Sequence, residues 1–124
     1  MFGPAGRLYV YFTYGNHHCL NVVTGKEGKA GAVLIRALRP LIGIQTMQRR
    51  RRKTDLKDLT SGPGKICQAL GVDLKLNGEI LSGPRIWIER PLGAQKIPVV
   101  CTPRIGISAG RELLYRFLSG AERP

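Results

Sequence analysis

The chain has 124 residues, with 20 Lys and Arg against 8 Asp and Glu and a net charge of +12. That length suits one domain with a modest core, and a hydrophobic share of 43% argues against a disordered chain. No apolar run is long enough to span a bilayer, and MFGPAGR lacks the basic and apolar regions of a secretory signal.

Sixteen glycines and eight prolines point to many turns and short elements rather than a helical bundle. Cys19, Cys67 and Cys101 are far apart and odd in number, so neither a zinc site nor a disulfide framework is expected. They read as reduced thiols of a cytosolic protein. A surplus of cations this large predicts a polyanionic partner, nucleic acid before an anionic membrane. Charge alone does not separate DNA from RNA, because phosphate contacts carry no sequence information.

Leu8 to Thr13 alternates with a period of two, the pattern of a half-buried strand. Tyr9, Tyr11 and Thr13 take one face; Leu8, Val10, Phe12 and Tyr14 take the other. Gly15-Asn16 is a turn signal and His18 to Val23 reads as the returning strand, which puts Tyr14 at the lip of a hairpin. Gly25 to Gly31 is a polar, glycine-rich loop. Ala32 to Leu38 is an almost continuous apolar run, predicted to be a strand buried on both faces. Arg36 interrupts it, and a charge there must be paired, solvated at an edge or functional.

Pro40 permits a helix start, and Leu41, Ile44 and Met47 recur at intervals of three. The predicted short amphipathic helix runs into Arg49, Arg50, Arg51, Arg52 and Lys53. Those cations either form a solvated face at a helix C-terminus or clamp phosphates. Ser61 to Lys65 is a turn into a short helix, Ile66 to Leu70, that stops at Gly71. Backbone N–H groups at its start, beside Lys65, suit an anion, although the P-loop spacing is absent.

Leu74 to Ser82 reads as a loop with a short apolar segment. Arg85 to Arg90 alternates and is predicted to be a strand, with Trp87 as a packing residue. Val99 to Ile107 predicts a strand and turn around Pro103. Leu113 to Leu118 is a last ordered segment, strand or helix. No repeat or interdomain linker is evident.

Four blocks, MFGPAGRLYVYFTYGNHHCLNVVTG, AVLIRALRP, LTSGPGKICQALGVD and TPRIGIS, keep their order and spacing over nearly the whole chain. Together they resemble the alkyladenine (3-methyladenine) DNA glycosylase family. The resemblance implies an α+β fold, a single domain over residues 1–124 with a curved, mostly antiparallel sheet and short helices. It implies a DNA-repair enzyme that flips an alkylated purine out of the duplex and hydrolyses its N-glycosidic bond. No metal and no cofactor are expected. The partner would be double-stranded DNA with an alkylated or abasic site, bound by a monomer in a bacterial nucleoid or a nucleus.

Residue by residue, Tyr14 matches the family's intercalating wedge and Tyr11 one wall of the base pocket. Asn21 matches the residue that screens the bound base against the amine of guanine. Arg36 matches the arginine that positions the attacking water, and Ile105 the position whose backbone carbonyl touches it. Lys65 and Arg49, Arg50, Arg51 and Arg52 are the candidate phosphate ligands. In the family the catalytic glutamate lies ahead of the first block, so the chain is expected to lack the family's N-terminal part. Its eight carboxylates, Glu27, Asp55, Asp58, Asp73, Glu79, Glu89, Glu112 and Glu122, include none at that position. His17 and His18 are bases by pKa alone and fall inside the hairpin match. Arg39 replaces an acidic residue, and Ser119 to Pro124 departs from the family's ending. The alternative reading is a non-catalytic, basic nucleic-acid-binding module or an inactive remnant.

Overall fold

The computed structural model describes residues 1–13, 17–90, 92–93 and 96–119. It contains, in order, β1 (Leu8–Thr13), β2 (His17–Val23), β3 (Ala32–Leu34), α1 (Ile44–Arg51), α2 (Pro63–Leu70), β4 (Val99–Thr102) and β5 (Arg116–Ser119). Single 3-10 turns occupy Leu56–Asp58 and Leu74–Leu76. The fold class is α+β, with antiparallel pairing throughout. No helix among the described residues is long and apolar enough to cross a membrane.

Contacts divide the chain into two compact units, Met1–Glu89 and Arg90–Pro124. In the first, β1, β2 and β3 form a sheet in that order. The register of the β1–β2 pair sets Leu8 opposite Val22, Val10 opposite Leu20 and Tyr11 opposite Cys19. The period-two pattern therefore sorts the hairpin as the sequence predicts. Leu8, Val10 and Leu20 face a core completed by Ile66 and Cys67 of α2, with Val72 and Leu81. Leu8 and Ile66 are fully buried, each worth about 1.5–3 kcal/mol relative to exposure.

α2 begins at Pro63, where the missing N–H would have had no helical partner. It ends at Gly71, whose φ of 69° lets the chain turn so that the Val72 N–H reaches the Cys67 carbonyl at 2.9 Å. Gly64 is required for a different reason. A Cβ there would lie 2.9 Å from the imidazole of His17 in β2, so the helix start and the far end of the hairpin touch directly. Outside the strands, the β1 edge is closed by side chain and loop: Val10 N–H donates to Asn77 Oδ1 at 2.9 Å and Leu8 N–H to the Glu79 carbonyl at 2.9 Å.

Three expectations fail here. The apolar run from Ala32 forms strand only to Leu34, and Val33 is 48% exposed. It is an outer strand of the three-stranded sheet and none of its residues is buried. Leu41 lies outside α1, which starts at Ile44 after Gly43 and buries none of its residues; it packs on α2 through its basic end. Arg85 to Arg90 is not a strand. One bridge joins Ser82 and Trp87, and Ile88 N–H returns to the Leu81 carbonyl at 3.0 Å, closing a tight loop. Ile86 packs on the core, but Trp87 is 57% exposed rather than packed.

In the second unit β4 and β5 pair as a two-stranded ribbon, with Val100 opposite Leu118 and Cys101 opposite Phe117. The open choice for Leu113 to Leu118 is thus settled as strand from Arg116.

Candidate functional site

The face of the β1–β2 hairpin opposite the core carries Tyr9, Tyr11, Cys19 and Asn21. The register makes Tyr9 the partner of Asn21 and Tyr11 the partner of Cys19, so strand pairing itself assembles these four side chains. Asn21 also pairs with Leu34 of β3 and is 6% exposed. A buried amide must be satisfied, and its Nδ2 donates to the Tyr9 carbonyl at 3.4 Å. The Tyr9 and Tyr11 rings lie 5.5 Å apart, tilted by 32°. Burial raises the Tyr11 phenol above its ordinary value; Cys19 adds to this by charge and by a side-chain hydrogen bond, and Tyr9 adds a little. Arg36 acts on the phenol in the opposite sense, so its guanidinium charge is felt at Tyr11. Ile35 N–H donates to the Leu20 carbonyl at 3.2 Å, which holds the chain against β2 one residue before Arg36.

Tyr11 and Asn21 are thus brought to one face, and the Arg36 charge is felt at Tyr11. Tyr14 lies outside the described residues. Ile105 belongs to the Arg90–Pro124 unit and is 57% exposed.

The five successive cations do different jobs. Arg50 lies over Gly71 and donates to the Ala69 carbonyl at 3.0 Å, placing a cation at the C-terminus of α2. Arg51 is more deeply committed. Its Nε donates to the Leu59 carbonyl at 3.2 Å, one Nη to Gln68 Oε1 at 2.7 Å and the other to the Asp58 carbonyl at 3.0 Å. Arg49 donates to Thr46 Oγ1 at 3.3 Å. Arg49, Arg52 and Lys53 line an open cleft of about 480 Å³ with Gln45, Gln48 and Thr54. Arg52 itself has a φ of 53°, the left-handed conformation that ends α1. α2 packs on the sheet face opposite Tyr11 and Asn21, and α1 packs on α2. Lys65, at the start of α2, is near the hairpin end through the Gly64–His17 contact.

Asp58 is the hub that organises these charges. Lys65 Nζ lies 2.7 Å from its carboxylate and also bonds Ser61 Oγ at 3.0 Å; Lys53 and Arg51 lie at 3.9 Å. The Lys65 hydrogen bond holds the Asp58 carboxyl below its ordinary value of 3.8, with smaller help from the charges of Lys65, Lys53 and Arg51. A depressed acid stabilises the fold above its unfolded pKa and ceases to as pH falls through its folded pKa. Thermal melts should therefore hold steady down to about pH 4 and decline below it, less steeply in Asp58→Asn.

Comparison with known proteins decides the descent. Residues 1–123 match the family described as methylpurine-DNA glycosylase (MPG). The chain belongs to the methylpurine-DNA glycosylase family. Relatives in that family named "Putative 3-methyladenine DNA glycosylase" include one from Carboxydothermus hydrogenoformans, 52% identical over 94% of this chain and 62% of its own length. One from Chlorobaculum parvum is 50% identical over 94% of this chain and 56% of its own length, and one from Methanoculleus marisnigri 47% identical over 94% and 62%. The chain therefore spans about three fifths of the length of these curated glycosylase relatives.

Several carboxylates of the chain have structural posts. Asp55 and Asp73 accept from the Lys57 and Lys75 N–H groups at the two 3-10 turns, and Glu79 pairs with Arg85 at 3.4 Å. The three cysteines are free, and burial, helped by Cys19, pushes the Cys67 thiol up to about 11, so it stays protonated. Among the described residues no His, Cys, Asp and Glu cluster could hold a metal. His18 meets the Phe12 ring edge-on at 5.2 Å. Sequence reasoning missed Asp58 as a hub and Asn77 as the group that closes the β1 edge. The only sequence signal for Asp58 was its place among seven cations from Arg49 to Lys65.

Proposed function

We propose that this chain takes part in the removal of alkylated purines from double-stranded DNA by hydrolysis of the N-glycosidic bond. The observation that carries the proposal is the strand pairing that sets Tyr11 and Asn21 on one sheet face, with the Arg36 charge felt at Tyr11, in a chain of this family. The glycosidic bond cannot be reached inside a stacked duplex, so the nucleotide must leave the stack and lie in a pocket. Tyr11 is one aromatic wall of that pocket, its phenol neutral and its ring free to stack. Asn21 is held by strand pairing and its own hydrogen bond, so its amide presents a fixed edge against a base carrying the wrong exocyclic group. Arg36 positions water beside the sugar. Tyr14 fills the space the base leaves.

The phosphate-binding role falls to Arg49 and Arg52 at the end of α1, which Arg50 and Arg51 fasten to α2, and to Lys65 at the start of α2, where it also holds Asp58. Each phosphate neutralised contributes about −0.9 to the slope of log affinity against log salt. Replacing Arg49 and Arg52 together with alanine should make that slope shallower by about 1.8, read by fluorescence anisotropy over a salt series. The whole is read as one glycosylase-like domain acting as a monomer on the genome, in a nucleoid or nucleus.

Incubation with duplex DNA carrying an alkylated purine tests the proposal. It expects release of free base that is abolished in Arg36→Ala. Tight, lesion-selective binding without release would support the non-catalytic reading instead. Neither release nor selective binding would overturn both.

A further inference from the structure

Three cations converge on the single carboxylate of Asp58. Lys65 Nζ lies 2.7 Å from it, and Lys53 Nζ and an Arg51 Nη lie at 3.9 Å. Lys65 also bonds Ser61 Oγ at 3.0 Å, so a hydroxyl stands beside the ammonium. One carboxylate among three cations leaves an excess of positive charge around it. The frame of this cluster stands without the carboxylate. Arg51 is held by the Leu59 and Asp58 carbonyls and by Gln68, and the Asp58 N–H donates to the Asp55 carbonyl at 3.1 Å. The Lys65–Asp58 pair is also half open, with side chains 39% and 36% exposed. Such a pair contributes little to stability and can exchange partners with solvent. Lys53 further lines the open cleft of Arg49 and Arg52, so the cluster adjoins that cationic surface.

A phosphate oxyanion and a carboxylate ask for the same partners, an ammonium and a hydroxyl that donate to charged oxygens. Two anions on one ammonium repel each other, so the second gains the site only as the first leaves. We propose that Asp58 is an internal competitor: its carboxylate fills a phosphate site made by Lys65, Ser61 and Lys53, and a phosphate group binds there by displacing it. The inference rests on the reading of Lys65 as a phosphate ligand and adds to that contact a brake built into the chain. The brake acts on any duplex, damaged or not, because phosphate contacts carry no sequence information. It loosens the grip on DNA as a whole and leaves recognition of the base to the sheet face.

Thermal melts of the full chain near neutral pH compare sodium phosphate with sodium chloride at equal ionic strength. Phosphate should raise the melting temperature of Asp58→Asn more than that of the parent, and the excess should vanish in the double variant Asp58→Asn, Lys65→Ala. Anisotropy with an undamaged duplex should show Asp58→Asn binding about 1.5- to 5-fold tighter, the range set by one exposed ion pair. Its slope of log affinity against log salt should be steeper by about 0.9, one further phosphate neutralised. Asp58→Ser should behave like Asp58→Asn, which guards against one variant failing to fold. Loss of the cooperative melt in both would make Asp58 a structural group and overturns the inference. An equal response of parent and Asp58→Asn to phosphate overturns it too, as does an excess that survives Lys65→Ala. Tighter DNA binding without the phosphate effect would be a general result of charge and also overturns it. The phosphate effect without tighter DNA binding upholds the filled site but removes Lys65 from the DNA contacts, so this inference and the DNA reading fail separately.

Discussion

Arg51→Ala should lower the stability of the chain by about 2–4 kcal/mol, the usual loss when a nearly buried charged donor leaves its acceptors unpaired. The side chain is 10% exposed, and its guanidinium ties the end of α1 to the Leu59 and Asp58 carbonyls and to Gln68 in α2. No other residue joins those elements through so many bonds among the described contacts. Removing it strands the buried Leu59 region from α1. Arg51→Lys should rescue little, since an ammonium cannot span acceptors that a planar fork reaches together. Arg52→Ala, one residue on, should change stability by no more than about 0.5 kcal/mol, because its side chain is exposed in the cleft. Urea titrations of the three variants give the comparison. Equal losses at Arg51 and Arg52 would mean that the cluster is a uniform charged face.

Tyr11→Ala should weaken binding to a duplex with an alkylated purine by about 5- to 150-fold, the 1–3 kcal/mol of one base stacked on an aromatic ring. Binding to an undamaged duplex should hardly change, because phosphate contacts dominate there. Tyr11→Phe should keep most of the affinity, since the phenol is a neutral group bonded to Cys19 and the ring supplies the stacking surface. Competition anisotropy with the two duplexes separates these outcomes. A parallel loss on both duplexes would place Tyr11 in the fold rather than in the pocket.

Much of this arrangement could be read from the chain alone. The hairpin was legible because alternation over Leu8 to Thr13 sorts the two faces, and the observed register keeps that sorting. That register then puts Tyr11 and Asn21 on one face. The second helix was legible at its Gly71 end but not at its start, because Pro63-Gly64 reads as a turn whereas Pro63 opens the helix. What stayed hidden depends on neighbours far along the chain. Ala32 to Leu38 has the composition of a buried strand, yet composition does not say how many layers enclose it. RIWIER alternates, but a strand needs a partner, and here the backbone folds back on Leu81. Arginines that read identically in sequence split into fasteners and free cations because α2 ends beside Arg50 and Arg51 and not beside Arg49 and Arg52. Asn77 gives no local sign that it will cap the N–H of Val10, 67 residues away.

The central claim is that this face receives a base drawn out of the helix. A duplex carrying 2-aminopurine next to an alkylated purine reports extrusion directly, because the probe brightens when its neighbour unstacks. Saturating the duplex with the chain should raise the fluorescence severalfold, with little rise on the matching undamaged duplex. Saturated binding with no rise on either duplex would contradict the account.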